Sequence, residues 1–345
     1  MIKNIPRGFK ATLDSISSFR AEPYVTDSLV FTGNGTAFYS AMMGSQILNL
    51  SEREWRAVQA FELVNYLRDL GRRSLVVGVS HSGITKTTIE ALRKEKSRGG
   101  KTIGITHFGG RPISEVSDVT LVVGNGPDKS RCHTIAYTNS AAAVFGLSLA
   151  FAQPLGQELG DVKNEFAQTL GTELEATITR TEETARKAAS ELRNVSKIFF
   201  AGAGPNFVTA REAALKFKEA SYLSAEGMEL EEILHGPAMS FNSDTLVVVF
   251  APSGPSVERA RDLLAASTKI SAKTMVVSDL SDLGADYQFR INRMHEYLSP
   301  FLSIIPVYFF SYFLAVERGS NPDYIHYLDQ KYWDARTIIF PPGTH

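Results

Sequence analysis

Residues 210–237 read A-R-E-A-A-L-K-F-K-E-A-S-Y-L-S-A-E-G-M-E-L-E-E-I-L-H-G-P, and they hold the densest set of groups able to move protons. On a helix, Glu212, Lys216 and Glu219 recur at spacings of four and three, which stacks two carboxylates and an ammonium on one face. A second helical run is expected to follow and to end at His235, before Gly236 and Pro237, which stop a helix. Two acids, a lysine and an imidazole make a complete proton-transfer set. The same spacing also builds the solvated faces of surface helices, so the rest of the chain must decide.

A second group lies at residues 80–85, S-H-S-G-I-T, directly after an apolar strand and at the start of a helix. Ser80, Ser82, Thr85 and the imidazole of His81 meet free backbone N–H groups there, which is a cradle for a single phosphate. Short hydroxyls suit that task because they donate to phosphate oxygens without bringing an opposing charge that must be desolvated, and the helix dipole helps by about 0.3–1 kcal/mol. Ordinary capping explains one such hydroxyl and leaves the others over. Thr36 follows another turn of the same kind, G-N-G-T at 33–36.

Those groups need elements to hold them. Residues 28–32 (S-L-V-F-T), 74–79, 102–106 and 119–123 read as buried strands separated by helical patterns. Residues 197–201 (K-I-F-F-A), 246–251 and 274–278 repeat that alternation after a long helical stretch at 153–193, broken near Gly171. Strands alternating with helices imply parallel sheets with right-handed crossovers. The fold class expected is α/β, two tandem doubly wound parallel-sheet domains. The divisions expected are an N-terminal helical segment at 1–25, a first domain at 26–160, a helical connector at 161–193, and a second domain with a C-terminal tail at 194–345.

Dinucleotide binding is excluded by the third glycine of its fingerprint, which falls on Phe38 in one half and Phe207 in the other. A P-loop fails similarly, since the glycine it needs upstream of Gly100-Lys101-Thr102 is Glu95. The 345 residues carry 36 Lys and Arg against 37 Asp and Glu, a formal net charge of -1, so no basic surface argues for nucleic acid. One cysteine, Cys132, excludes an intrachain disulfide and a multi-thiolate zinc site and fits a reducing, cytoplasmic setting. The N-terminus lacks the apolar core of a signal peptide. Residues 300–316 are apolar but interrupted by Pro306 and serines, and read as a buried helix or subunit interface rather than a membrane span.

The G-N-G-T turn, S-H-S-G-I-T, and A-L-K-F-K-E-A-S-Y ending in L-H-G-P together resemble the tandem sugar isomerase (SIS) domain family. Its members include the isomerase half of glutamine:fructose-6-phosphate aminotransferase and glucosamine-6-phosphate deaminases, and the match runs over residues 28–332. The resemblance implies a flavodoxin-like fold in each half, a homodimer, and a phosphosugar site at the subunit junction with no cofactor and no metal. It implies phosphate binding by Ser80, His81, Ser82 and Thr85 with Thr36 nearby, acid/base work by Glu219 beside Glu212 and Lys216, and ring opening by His235. The activity implied is aldose-ketose isomerisation or deamination of an amino sugar 6-phosphate. Deglycation of a fructosamine 6-phosphate is the alternative within that class, and a phosphosugar-binding regulator without turnover is the alternative outside it. Read as a chain with no glutaminase segment before residue 28, it is not expected to make glucosamine phosphate from glutamine.

Several positions depart from the family pattern. Ile84 stands where S-x-S-G-E-T has glutamate, and Ala37 replaces a serine. Cys132-His133-Thr134-Ile135 lacks the lysine of S-T-K, and the C-terminal lysine position is Gln330, with Lys331 one residue on. Any lysine-dependent Schiff base rests on Lys331. His107 follows a strand and lines the cleft or caps. His295 and His326 have no metal spacing, and Tyr332, Trp333 and Arg336 clasp the sugar or pack the tail. The whole reading requires the hydroxyl-lined turn and the carboxylate-bearing helix to serve one pocket.

Overall fold

The computed structural model describes residues 1–48, 55–67, 70, 74–152, 160–326 and 328–341. By contacts the chain divides into two compact units, residues 3–163 with 326–345, and residues 164–325.

In chain order the first unit contains α1 (Ile5–Ile16), β1 (Ser28–Gly33), α2 (Thr36–Leu48), β2 (Trp55–Gln59), α3 (Ala60–Asn65), β3 (Ser74–Val79), α4 (Lys86–Ser97), β4 (Lys101–Thr106), α5 (Ile113–Val116), β5 (Val119–Val122), α6 (Thr134–Ala152) and most of α7 (Gly160–Asn164). The second contains α8 (Leu170–Glu191), β6 (Lys197–Gly202), α9 (Pro205–Ala220), β7 (Ser224–Glu229), β8 (Thr245–Phe250), α10 (Val257–Lys269), β9 (Lys273–Ser278), β10 (Tyr287–Arg290) and α11 (Ser299–Glu317). The last helix, α12 (Gln330–Ile339), groups with the first unit.

Each unit is a parallel sheet wound on both faces. The first has strand order β2-β1-β3-β4-β5 and the second β10-β9-β8-β6-β7. The sequence dictates which strands are central: S-L-V-V-G-V of β3 and T-L-V-V-V-F of β8 are buried along their whole length, as strands covered on both faces must be. Val30, Val76, Ile89, Leu92 and Ile113 form a core of the first unit, and Phe199, Val247, Val249, Leu263 and Val276 one of the second. The strand order reverses between β1 and β3, and again between β6 and β8. At such a switch point the loops leave the carboxyl ends in opposite directions and open a crevice that the sheet itself positions. The two tandem α/β, doubly wound sheets are those expected.

The second helical run expected between Ser221 and His235 is not formed. Residues Ser224–Glu229 are β7, the edge strand beside β6, and only a single 3₁₀ turn, Glu232–Leu234, precedes His235. Glu, Met and Leu favour a helix locally, but pairing with β6 wins. Gly227 allows it, because a Cβ there would lie 2.3 Å from the Ala210 carbonyl oxygen of α9. The break expected near Gly171 is a π-turn at Glu165–Thr169, with Gly171 inside α8; residues 153–159 of that expected helix lie outside the described residues. Within the second unit α8 packs against α11.

Among the described residues two helical segments, Thr134–Ala152 and Glu296–Glu317, are long and apolar enough to cross a membrane, and both are 89% buried inside the fold. Their hydropathy is that of core helices. Residues 300–316, within α11, are thus a buried helix, as expected.

Candidate functional site

The switch point of the first unit carries the hydroxyl loop. β3 ends at Val79 and α4 begins at Lys86, so residues 80–85 turn over the carboxyl end of the sheet. Ser80 is buried, and its Oγ lies 2.9 Å from Thr85 Oγ1 and accepts from the Gly83 N–H at 3.1 Å. The Ile84 N–H donates to Ser82 Oγ at 3.4 Å. Gly83 is required: its φ is +70°, and a Cβ there would lie 2.6 Å from Arg111 Cβ. Thr85 is the N-cap of α4 but its side chain makes no capping hydrogen bond, so its hydroxyl is bound to Ser80 instead. The loop thus gathers Ser80, Ser82 and Thr85 at a helix N-terminus, where backbone donors and the helix dipole favour an anion.

The G-N-G-T turn belongs to the same crevice. Asn34 Nδ2 donates to Thr87 Oγ1 at 2.9 Å and to Thr88 Oγ1 at 3.3 Å, tying the turn after β1 to the first turn of α4. Thr36 opens α2 immediately beyond.

Three histidines that sequence reasoning did not group meet here. The His81 ring centroid lies 4.5 Å from that of His107 and 4.7 Å from that of His133, with Phe108 edge-on at 5.6 Å. Burial pushes His107 down to about 3, with His81 and His133 adding to the effect and a backbone hydrogen bond to Ala136 opposing it. Burial lowers His81 too, opposed by the Asp128 carboxylate. The signal available in the sequence was positional: His81 and His107 each lie within two residues of a strand's carboxyl end, and His133 just before a core helix.

In the second unit α9 carries the charged face. Lys216 Nζ lies 3.3 Å from Glu212 Oε1 and donates to Glu219 Oε2 at 2.7 Å. The side chains of Glu212 and Lys216 are 0% and 1% exposed, while Glu219 is 25% exposed. This is no solvated helix face. Two charges are buried as a pair, and the third group, hydrogen-bonded to the shared ammonium, reaches the surface. A carboxylate so held is fixed in direction yet open to a ligand. The helix itself is packed by β7 on one side and α11 on another, and Ser311 of α11 donates to the Lys216 carbonyl at 3.2 Å.

The remaining predicted residues make contacts of their own. His235 is 68% exposed, and its Nε2 lies 2.9 Å from Glu231 Oε1. Glu231 also takes two bonds from the Arg259 guanidinium, at 2.6 and 2.7 Å, which with His235 holds its carboxyl down to about 2. Lys331, in α12, is 75% exposed, with Nζ 3.7 Å from Asp329 Oδ2 and 5.2 Å from the Tyr332 ring centroid. His326 stacks on Tyr332 at 4.1 Å, and Arg336 lies 5.4 Å from the Trp333 ring. His295 stacks on Tyr297. Among the described residues no group of three His, Cys, Asp or Glu side chains has the arrangement to hold a metal ion.

The sequence profile of the SIS domain matches residues 24–152 and 191–318. The chain is 28% identical over 336 residues to the isomerizing glutamine–fructose-6-phosphate aminotransferase of Thermococcus kodakarensis, a match covering 94% of this chain and 56% of that protein. It therefore spans about half the length of the curated relatives it matches. Its backbone superposes with a TM-score of 0.83 on the C-terminal domain of glucosamine-fructose-6-phosphate aminotransferase from Francisella tularensis, at 20% identity, covering 93% of this chain and 95% of the other. For glucosamine-6-phosphate deaminase from Thermotoga maritima the TM-score is 0.76 at 22% identity, covering 94% and 96%. At those identities the structural likeness establishes the fold.

Proposed function

The chain belongs to the SIS-domain family, carrying two copies of that domain, and from that premise we propose that it processes an amino sugar 6-phosphate by aldose-ketose isomerisation, deamination or both. The observation that carries the proposal is the Glu212–Lys216–Glu219 array: an interior ion pair that presents one partly open carboxylate. A surface-helix role gives no reason to bury Glu212 and Lys216, since desolvating two charges costs several kcal/mol per ion before their attraction offsets it.

In this reading the sugar's phosphate binds the 80–85 loop through Ser82, Thr85 and backbone N–H groups, with Ser80 holding the turn and Thr36 beside it. Glu219 takes the proton from one of C1 and C2 and returns it to the other. Lys216 keeps Glu219 oriented and offsets the negative charge that develops on the enediol oxygen. Glu212, 3.3 Å from the Lys216 ammonium, keeps it in place. His235, exposed and already bonded to an acid, assists ring opening, and the homodimer proposed from the family supplies it at the partner's site. Lys331 stands near the position of a family lysine and is proposed as the amine for any Schiff-base step.

Deglycation of a fructosamine 6-phosphate is the second reading, since it uses the same phosphate cradle and the same proton transfer. Incubation with glucosamine 6-phosphate, following ammonia and ketose 6-phosphate over time, tests the proposal. Product formation that Glu219→Gln abolishes is expected. Tight binding of several hexose 6-phosphates with no turnover of any would replace the enzyme by a phosphosugar-responsive regulator.

A further inference from the structure

Beside the hydroxyl loop, within the first unit, lies a feature that phosphate binding by hydroxyls does not require. His81 is the second residue of that loop, His107 follows β4 directly, and His133 precedes α6 by one residue. Their rings are 4.5 and 4.7 Å from the His81 centroid. His133 holds a φ of 52°, a left-handed backbone uncommon for a residue with a side chain, so the fold bears strain at the position that brings this ring in. His107 is 4% exposed, with Nε2 3.2 Å from Ser140 Oγ, while the Nδ1 atoms of His81 and His107 are buried with no hydrogen-bond partner. Buried polar atoms are ordinarily paired, and two unpaired ring nitrogens in one cluster call for a ligand or a proton.

We propose that His81, His107 and His133 form a proton-linked anion receptor, in which a phosphate ester seated in the 80–85 loop draws one proton from solvent onto the cluster, at His81. The inference rests on the phosphosugar reading above and adds what that reading leaves open, the protonation state of the loop's imidazole. The charged and titratable groups on the segments that carry the three rings are, from the 80–85 loop, His81 itself, with Lys86 opening α4 beyond it; from the segment after β4, His107 and Arg111, whose guanidinium lies 5.1 Å from the Phe108 ring; from the loop before α6, Asp128, Lys129, Arg131, Cys132 and His133; and from α6, Tyr137. Asp128 already accepts from the Ser130 and Ala136 N–H groups at 2.8 and 3.0 Å, so it is held in place near the cluster and biases it toward a positive charge.

Without a ligand, burial disfavours the charged form of both His81 and His107, and at His107 repulsion from the His81 and His133 rings adds to it. A doubly charged phosphate within about 4–6 Å favours the protonated ring ten- to thousandfold, and the protonated ring offers that anion a charged N–H donor whichever nitrogen faces it. Proton uptake and anion binding are then one event. The device also favours dianionic esters over neutral sugars of the same shape.

Isothermal titration of the full chain with glucose 6-phosphate tests this between pH 7 and 8.5, above the phosphate's own second ionisation at about 6. That sugar carries no amine to titrate in the range. Titrations at each pH use buffers of differing ionisation enthalpy. The expected result is an affinity that falls with rising pH, by up to about tenfold per unit, and a buffer-dependent heat showing net proton uptake of up to about one per ligand. His81→Gln is expected to bind more weakly with both dependences abolished, but the wild-type heats decide the matter even if that variant does not fold. Binding that is flat to within twofold and free of buffer-dependent heat overturns the proton linkage while leaving phosphosugar recognition intact. No binding at any pH overturns the phosphosugar reading and this inference with it.

Discussion

The Lys216 ammonium donates to the Glu219 carboxylate at 2.7 Å, and of the two only Glu219 reaches solvent, at 25% exposure against 1%. That difference in exposure separates the roles of two residues three positions apart on one helix. Lys216 is committed to the interior, where Glu212 stands 3.3 Å away, and Glu219 is the member able to meet a ligand.

Lys216→Met leaves the Glu212 carboxylate buried without its ammonium, and breaking a buried pair from one side costs about 3–5 kcal/mol. Urea unfolding is expected to show a loss of that size. The double variant Glu212→Gln with Lys216→Met, which removes both charges, is expected to be more stable than Lys216→Met alone. Equal loss in the single and double variants would mean the two residues do not act as a pair.

The hydroxyl loop is expected to reveal itself in KM. Ser82→Ala removes one donor to a charged group, worth about 1.5–3 kcal/mol, so KM for a hexose 6-phosphate is expected to rise about ten- to a hundredfold with kcat nearly kept. Ser80→Ala acts differently, because Ser80 Oγ holds Thr85 and the Gly83 N–H. It is expected to lower stability as well as affinity, by thermal denaturation.

His107 makes stability depend on pH with a definite sign. Its folded pKa, about 3, lies below the unfolded value near 6.5, so the unfolded chain binds the extra proton. The stability it contributes is fully present above pH 6.5 and is lost as pH falls toward 3. Between pH 7 and 5 this amounts to about 2 kcal/mol. Denaturant unfolding at the two pH values is expected to show that difference reduced in His107→Gln relative to wild type; equal differences would place the pH response in other groups.

His235→Ala is expected to leave folding unchanged, since the ring is 68% exposed and joined only to a surface acid network. Surface changes of this kind fall within about 0.5 kcal/mol. Turnover of the closed pyranose is expected to drop while phosphate affinity stays. Loss of the fold, read by circular dichroism, would give that ring a structural task instead.

The sequence made the inner strands plain and, β5 aside, the outer ones obscure. β3 and β8 are continuous apolar runs because both faces of a central parallel strand are covered. β2, β7 and β10, none of them expected, are edge strands such as W-R-A-V-Q and Y-Q-F-R, which keep polar residues and copy neither period. β7, S-A-E-G-M-E, carries Glu and Met, whose local preference is for a helix. The hydroxyl loop and the α9 face were legible because both are local, within six and eight residues of chain. The histidine cluster was not, since His81, His107 and His133 come from three separated segments that only the β3–β4 neighbourhood and α6 bring together. Nor did the spacing of Glu212 and Lys216 tell a buried pair from an exposed one; that depended on β7 and α11 covering the helix.

The proton transfer assigned to Glu219 is tested most directly by exchange at carbon. With glucosamine 6-phosphate in deuterium oxide, wild-type protein is expected to place deuterium at C2 of sugar recovered before completion, read by proton NMR. Glu219→Gln is expected to slow that exchange by about 10²–10⁴ without losing the fold. Exchange at the wild-type rate in a correctly folded Glu219→Gln would contradict the account.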